Sequence, residues 1–137
     1  SGRSLELHAK QLFMEEGLIS DQHFTHGPVL ADNRRPDFVF PNVAAFNDPD
    51  YPDERLRMLA AKTTCKDRWR QVLNETDRVA VKHLLTLQDG VSENQFNEMN
   101  DAGIRLVVPA GLHKAYPEAV RNHLITLEEF IGHVRIL

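Results

Sequence analysis

Three short apolar runs, LRMLAAKTT (56–64), VKHLLTL (81–87) and IRLVV (104–108), mark the middle of the chain, with stretches of mixed polarity between them. Nearly continuous runs of this length read as strands covered on both faces, because a half-buried strand would alternate apolar with polar positions. Between the first two runs, Cys65, Trp69, Leu73 and Thr76 recur at spacings of four, four and three, which predicts a helix over about 67–79 with these residues toward the core. Arg68, Gln71, Glu75 and Arg78 recur at three, four and three, and would share its polar face. Between the second and third runs, residues 92–100 read as a helix capped by Ser92 and closed by Gly103.

Toward the N-terminus, Ser4 is positioned to cap a first helix that carries Leu5, Leu12 and Phe13 and ends near Glu16, before Gly17. The run Pro36-Asp37-Phe38-Val39-Phe40-Pro41 is β-rich, and its flanking prolines confine the strand to about four residues. Residues 42–54, rich in Asn, Asp and Pro, read as a loop, and 117–124 and 127–136 as closing helices. Alternation of strand and helix predicts an α/β fold, a central mixed sheet flanked by helices, in a single domain over 1–137.

A composition of 42% hydrophobic and 26% charged residues excludes a disordered or fibrous chain. No apolar run approaches the ~20 residues needed to cross a bilayer, and no signal-peptide pattern opens the chain, so a cytoplasmic protein without a membrane partner is expected. With one cysteine, Cys65, neither an internal disulfide nor a multi-cysteine zinc cage is available. His23 and His26, in HFTHGP, read as a solvated loop rather than a metal pair.

A net charge of −4 argues against a nucleic-acid partner until its distribution is considered. Across 62–70 the cations Lys62, Lys66, Arg68 and Arg70 face one acid, Asp67, a local net charge of +3. Lys62 also ends an otherwise apolar strand, where an ammonium needs a partner or water. Asp37, 25 residues earlier, opens another strand. A carboxylate that holds Mg²⁺ and a cation near an attacking water are what phosphodiester hydrolysis requires. The pattern follows the PD-(D/E)xK nucleases with one departure, since Ala60 stands where the strand acid two residues before the lysine belongs.

The run 59–71 (LAAKTTCKDRWRQ) resembles the signature of EcoRII-type Type II restriction endonucleases, and 35–41 (RPDFVFP) resembles the strand before it. Similarity continues through 83–92 (HLLTLQDGVS) and 105–109 (RLVVP), so it covers most of the chain. The resemblance implies a restriction-endonuclease-like fold in a bacterial homodimer that cuts double-stranded DNA at a CC(A/T)GG-type site with Mg²⁺. In this family and its relatives PspGI and NgoMIV, a glutamate in a Lys-x12-Glu arrangement replaces the strand acid, and counting from Lys62 gives Glu75. Asp37 and Glu75 are thereby the implied metal ligands, with Lys62 as catalytic cation. Glu6 is the candidate for the additional acid contributed by the first helix, the alternative being a solvated glutamate favoured by the helix dipole. Lys66, Asp67, Arg68 and Arg70 correspond to the region that reads DNA in related enzymes, and their chemistry suits a C:G pair: cations donate to guanine O6 and N7, and an aspartate accepts from cytosine N4. Trp69 belongs to the apolar stripe and is expected in the core. Relatives carry additional N-terminal sequence and Ser1-Gly2-Arg3 resembles an internal stretch, so a longer parent chain is expected. A repair or recombination nuclease of the same fold, or a DNA-binding module with a relict site, are the competing readings; Ala60 supports the second and Glu75 opposes it.

Overall fold

Strands β1 (Thr25–His26), β2 (Phe38–Phe40), β3 (Arg57–Lys62), β4 (Lys82–Thr86) and β5 (Ile104–Val107) form one sheet in that order in the computed structural model, which describes residues 2–137. Ser1, part of the stretch compared with longer relatives, lies outside the described residues. The β1–β2 and β2–β3 pairs are antiparallel and the β3–β4 and β4–β5 pairs parallel, which makes the sheet mixed as expected.

Helices α1 (Arg3–Glu15) and α5 (Leu127–Arg135) cover one face, and α2 (Val43–Asn47), α3 (Trp69–Val72) and α4 (Glu93–Asp101) the other. The period-two alternation of a strand divides β3 accordingly. Met58 and Ala60 enter the core that holds Trp69, Val72, Phe96 and Met99, whereas Leu59 and Ala61 enter the core that holds Leu5, Phe13, Phe130 and Ile131. Both cores demand apolar residues, so the sequence of β3 reads as an unbroken run.

α1 starts against the end of β3. A Cβ on Gly2 would lie 2.1 Å from the Ala61 carbonyl oxygen, so a residue without a side chain is required for this approach. The expected Ser4 cap is not used: the cap position is Gly2, with no side-chain capping bond. Where both halves of a capping box are present, elements fall close to expectation. Ser92 and Gln95 start α4, and Thr126 and Glu129 start α5. Gly103, at φ 90°, ends α4 in the left-handed region that favours glycine.

The helix expected over 67–79 contracts to α3, four residues long. Beyond it Thr76 Oγ1 accepts the Arg78 main-chain N–H at 3.2 Å, a local bond that competes with helix continuation. Arg78 turns away from solvent. Its guanidinium donates to the carbonyls of Phe46 (2.9 Å), Asp48 (2.7 Å) and Tyr51 (2.6 Å) and holds the Asp53 carboxylate through Nε (2.8 Å) and Nη2 (2.6 Å). The stretch read as a loop over 42–54 is thus organised, and it contains α2, capped by Asn42 accepting from the Ala45 N–H at 2.8 Å, and a 3-10 turn at Asp53–Arg55. The helix expected at 117–124 is a 3-10 segment, Glu118–His123.

Arg78→Ala is expected to lower unfolding free energy by about 3 kcal/mol, because it leaves several carbonyls and one carboxylate without their charged donor. Urea denaturation measures this. A loss below about 1 kcal/mol would show that water replaces the guanidinium.

Candidate active site

Four segments bring their charged side chains to the end of β3. Asp37 immediately precedes β2, and its Oδ2 accepts the Ala61 main-chain N–H at 2.8 Å, which fixes the carboxylate across the strand pair. Lys62 ends β3 on the same face as Met58 and Ala60 by strand alternation. Glu6, 9% exposed, comes from the first turn of α1. Glu75 arrives from the turn after α3.

Burial pushes the Glu75 carboxyl up to about 7, and the charges of Asp37 and Glu6 add to that, while Lys62 and a hydrogen bond from the Asp37 main-chain N–H oppose it. Glu75 Oε1 is buried with no hydrogen-bond partner. Burial likewise raises the Asp37 carboxyl, the Glu6 charge raises it further, and the Ala61 N–H and Lys62 counteract them. Three carboxyl groups therefore share a half-buried space with one ammonium. Such a cluster is electrostatically unsatisfied, and a further cation would relieve it.

Glu75 does not lie on an exposed helical face with Arg68 and Arg78, as the spacing predicts. The helix ends before it, and the turn carries its carboxylate inward. Ala60 is fully buried in the core beside Trp69 and Val72. Lys66, Asp67 and Arg68 are exposed on the turn leading into α3. Arg70 lies on α3 itself, its Nη2 2.6 Å from Glu98 Oε2 and its guanidinium 4.3 Å from the Trp69 ring centroid. Trp69, 6% exposed, is a core residue as expected.

The histidine loop is not solvated throughout. His23 Nδ1 accepts the Ile19 N–H at 2.8 Å, a turn-closing role. His26 belongs to β1, with Nε2 3.3 Å from Glu6 Oε2 and its ring stacked on Phe38 at 4.8 Å. The sequence reading places His26 in a solvated loop because a two-residue strand has no periodicity to detect. Among the described residues, no group of three or more His, Cys, Asp and Glu side chains is placed to hold a metal ion.

The mixed sheet, with an acid before β2 and a lysine at the end of β3, has the restriction-endonuclease fold of the solved structures that it matches. The structure matches metal-depleted Ecl18kI in complex with uncleaved DNA at a TM-score of 0.79 and 22% identity, over 98% of this chain and 44% of that one. It matches the PspGI–substrate DNA complex at 0.74 and 16%, over 98% and 60%. The chain belongs to the EcoRII C-terminal family, whose model matches residues 1–131. It is 55% identical to the Type II restriction enzyme EcoRII of Escherichia coli over 132 residues, 96% of this chain and 32% of that protein. Identity to the Type II restriction enzyme SsoII of Shigella sonnei is 31% over 98 residues, 69% of this chain and 30% of that protein. The chain thus spans about a third of the length of these relatives.

Proposed function

We propose that this chain carries the catalytic centre of a cytoplasmic bacterial Type II restriction endonuclease that hydrolyses phosphodiester bonds in double-stranded DNA, acting as a homodimer at a CC(A/T)GG-type site. The observation that carries the reading is the arrival of the Glu75 carboxylate beside Asp37 and Lys62, with one oxygen buried and unpartnered. A relict site would have no reason to keep that arrangement, because burying an unneutralised carboxylate destabilises the fold.

The residues fit Mg²⁺. This ion is usually held by one or two carboxylates together with water and substrate phosphate, rather than by an all-protein cage. Asp37 and Glu75 would be its ligands, with Glu6 adjacent; when bound, Mg²⁺ supplies Lewis acidity toward the phosphate oxygen and the attacking water. Asp37 is oriented by the Ala61 N–H. Lys62 holds positive charge where negative charge develops, and its strand fixes that charge before substrate arrives. Lys66, Asp67 and Arg68, exposed beside the site, supply donors and an acceptor for the major-groove edges of C:G pairs. Arg70, paired with Glu98, must exchange that partner to contact a base or phosphate. Two-fold pairing of subunits would present one catalytic centre to each strand of a palindromic site.

Incubation of plasmid DNA containing CC(A/T)GG sites with the chain and Mg²⁺ is the test. Defined fragments are expected, with none in EDTA and none from Asp37→Ala, which removes a ligand without removing core volume. Sequence-specific DNA binding without cleavage under Mg²⁺ would make the relict binding module the better reading.

A further inference from the structure

His26 contacts an acid of the cluster from outside it, and nothing in the reaction described so far uses this contact. We propose that His26 is a positioning residue, its imidazole Nε2 holding the Glu6 carboxylate in place against Asp37 and Glu75. The inference rests on the nuclease reading and deepens it.

Both partners are sheltered. Nε2 lies 3.3 Å from Glu6 Oε2, with 15% and 12% of the two side chains exposed, so water competes weakly for the pair. Nε2 is buried and has no aligned hydrogen bond, which leaves Glu6 as its polar neighbour. The imidazole is itself held. Its ring stacks on Phe38 with 27° between the planes, and His26 stands opposite Phe38 in the β1–β2 register. Phe38 is fully buried and directly follows Asp37 in the chain.

The next residue acts on Asp37 as well. Gly27, at φ 63°, turns its N–H onto the Asp37 carbonyl at 2.7 Å, a backbone conformation that L side chains rarely adopt. One short segment thus fastens the main chain of one acid and the side chain of another. Without it, the side-chain hydrogen bond to Asp37 is left to hold Glu6 against the charges of Asp37 and Glu75, one helical turn from the exposed start of α1, where rotation toward solvent would relieve the repulsion. The imidazole, held on Phe38 with Nε2 3.3 Å from Glu6 Oε2, opposes that rotation.

His26→Phe keeps a flat ring for Phe38 and removes the N–H, and His26→Gln restores a donor. Three measurements on the chain apply: thermal unfolding, calorimetric titration with Mg²⁺ in the absence of DNA, and single-turnover cleavage. His26→Phe is expected to unfold near the wild-type temperature while Mg²⁺ affinity and cleavage each fall roughly 10–100-fold, the range for outer partners that orient a metal site. His26→Gln should recover part of both losses. In a Glu6→Gln background, His26→Phe should change neither by more than about twofold, since coupled residues are non-additive. The same His26→Phe loss with and without the Glu6 carboxylate, or unchanged Mg²⁺ affinity, overturns the inference; His26→Leu takes its place if the Phe variant does not fold. Wild-type chain that neither binds Mg²⁺ nor cuts DNA would remove the nuclease reading itself, whereas active wild type with an indifferent position 26 removes this inference alone.

Discussion

Glu75→Gln is expected to reduce cleavage by roughly three orders of magnitude or more while leaving the metal-free protein within about 1 kcal/mol of wild type at pH 5 and clearly more stable at pH 8. Under the proposed function, loss of activity follows from removing an anionic metal ligand while keeping size and hydrogen-bonding capacity; the loss of one such electrostatic contribution to a transition state is worth about 10²–10³ alone, and a disturbed metal site adds to it. The stability effect follows from the raised carboxyl. Burial beside Asp37 lifts Glu75 to about 7 from the ordinary 4.5, so the folded state binds a proton that the unfolded state has already released. A raised folded value means that the contribution of this group to stability is complete below about 4.5 and is lost as pH rises to about 7. Glutamine does not ionise, so it escapes this loss, a gain of up to about 3 kcal/mol above neutral pH. Urea unfolding in EDTA at pH 5 and pH 8, set beside single-turnover cleavage, checks both halves. A Glu75→Gln chain that cuts within tenfold of wild type, or loses stability at pH 8, would return Glu75 to a structural role.

Competing rules within one sequence explain which elements could be read from it. β3, β4 and β5 are legible because helices cover both faces and their central positions are mostly apolar. α4 and α5 are legible because their capping boxes mark a start that packing does not override. The stripe Cys65, Trp69, Leu73 and Thr76 predicts burial well, since Cys65 is fully buried and Thr76 1% exposed, yet it overstates the helix. A side-chain hydroxyl bonding the backbone and an arginine drawn to the carbonyls of Phe46, Asp48 and Tyr51 and to the Asp53 carboxylate end that helix early, and neither is visible as periodicity. β1, α2 and the approach of Gly2 to Ala61 depend on partners distant in sequence, which no local pattern records.

The site divides in the same way. Asp37 and Lys62 can be proposed from chemistry, because an acid that opens a strand and a lysine that closes another both need a reason to be there. Glu75 cannot. On the predicted helix it shares a solvent face with Arg68 and Arg78, and only the Lys-x12-Glu spacing of the family draws it toward the proposed metal position. The observed turn gives the physical basis: with α3 ending at Val72, the chain doubles back and Glu75 enters the space over the end of β3. His26 lacked both kinds of signal.

Lys62→Ala is expected to lower the cleavage rate at saturating DNA by about 10³ while specific binding stays within severalfold, because a charge used at the transition state contributes little to ground-state affinity. The substitution also acts on the acids. Lys62 holds the Asp37 and Glu75 carboxyls below the values that burial and mutual repulsion would otherwise set, so its removal moves both upward. In metal-free protein the decline of stability with rising pH should therefore extend to higher pH in Lys62→Ala than in wild type. That decline should shrink when Glu75→Gln is added, since the ionising group is then gone. Mg²⁺ should restore stability to Lys62→Ala above neutral pH, as a cation that binds the folded state but not the unfolded one does by mass action. These outcomes separate two roles that a static cluster leaves combined. A lysine that serves the reacting phosphate loses rate at saturation, whereas one that clamps the DNA backbone loses affinity, shows a shallower salt dependence and cuts normally once saturated. If Lys62→Ala behaves in the second way and the stability of its metal-free form follows the wild-type pH profile, Lys62 is a phosphate contact at the edge of the site, and the cation that serves the developing charge must be sought among Lys66, Arg68 and Arg70.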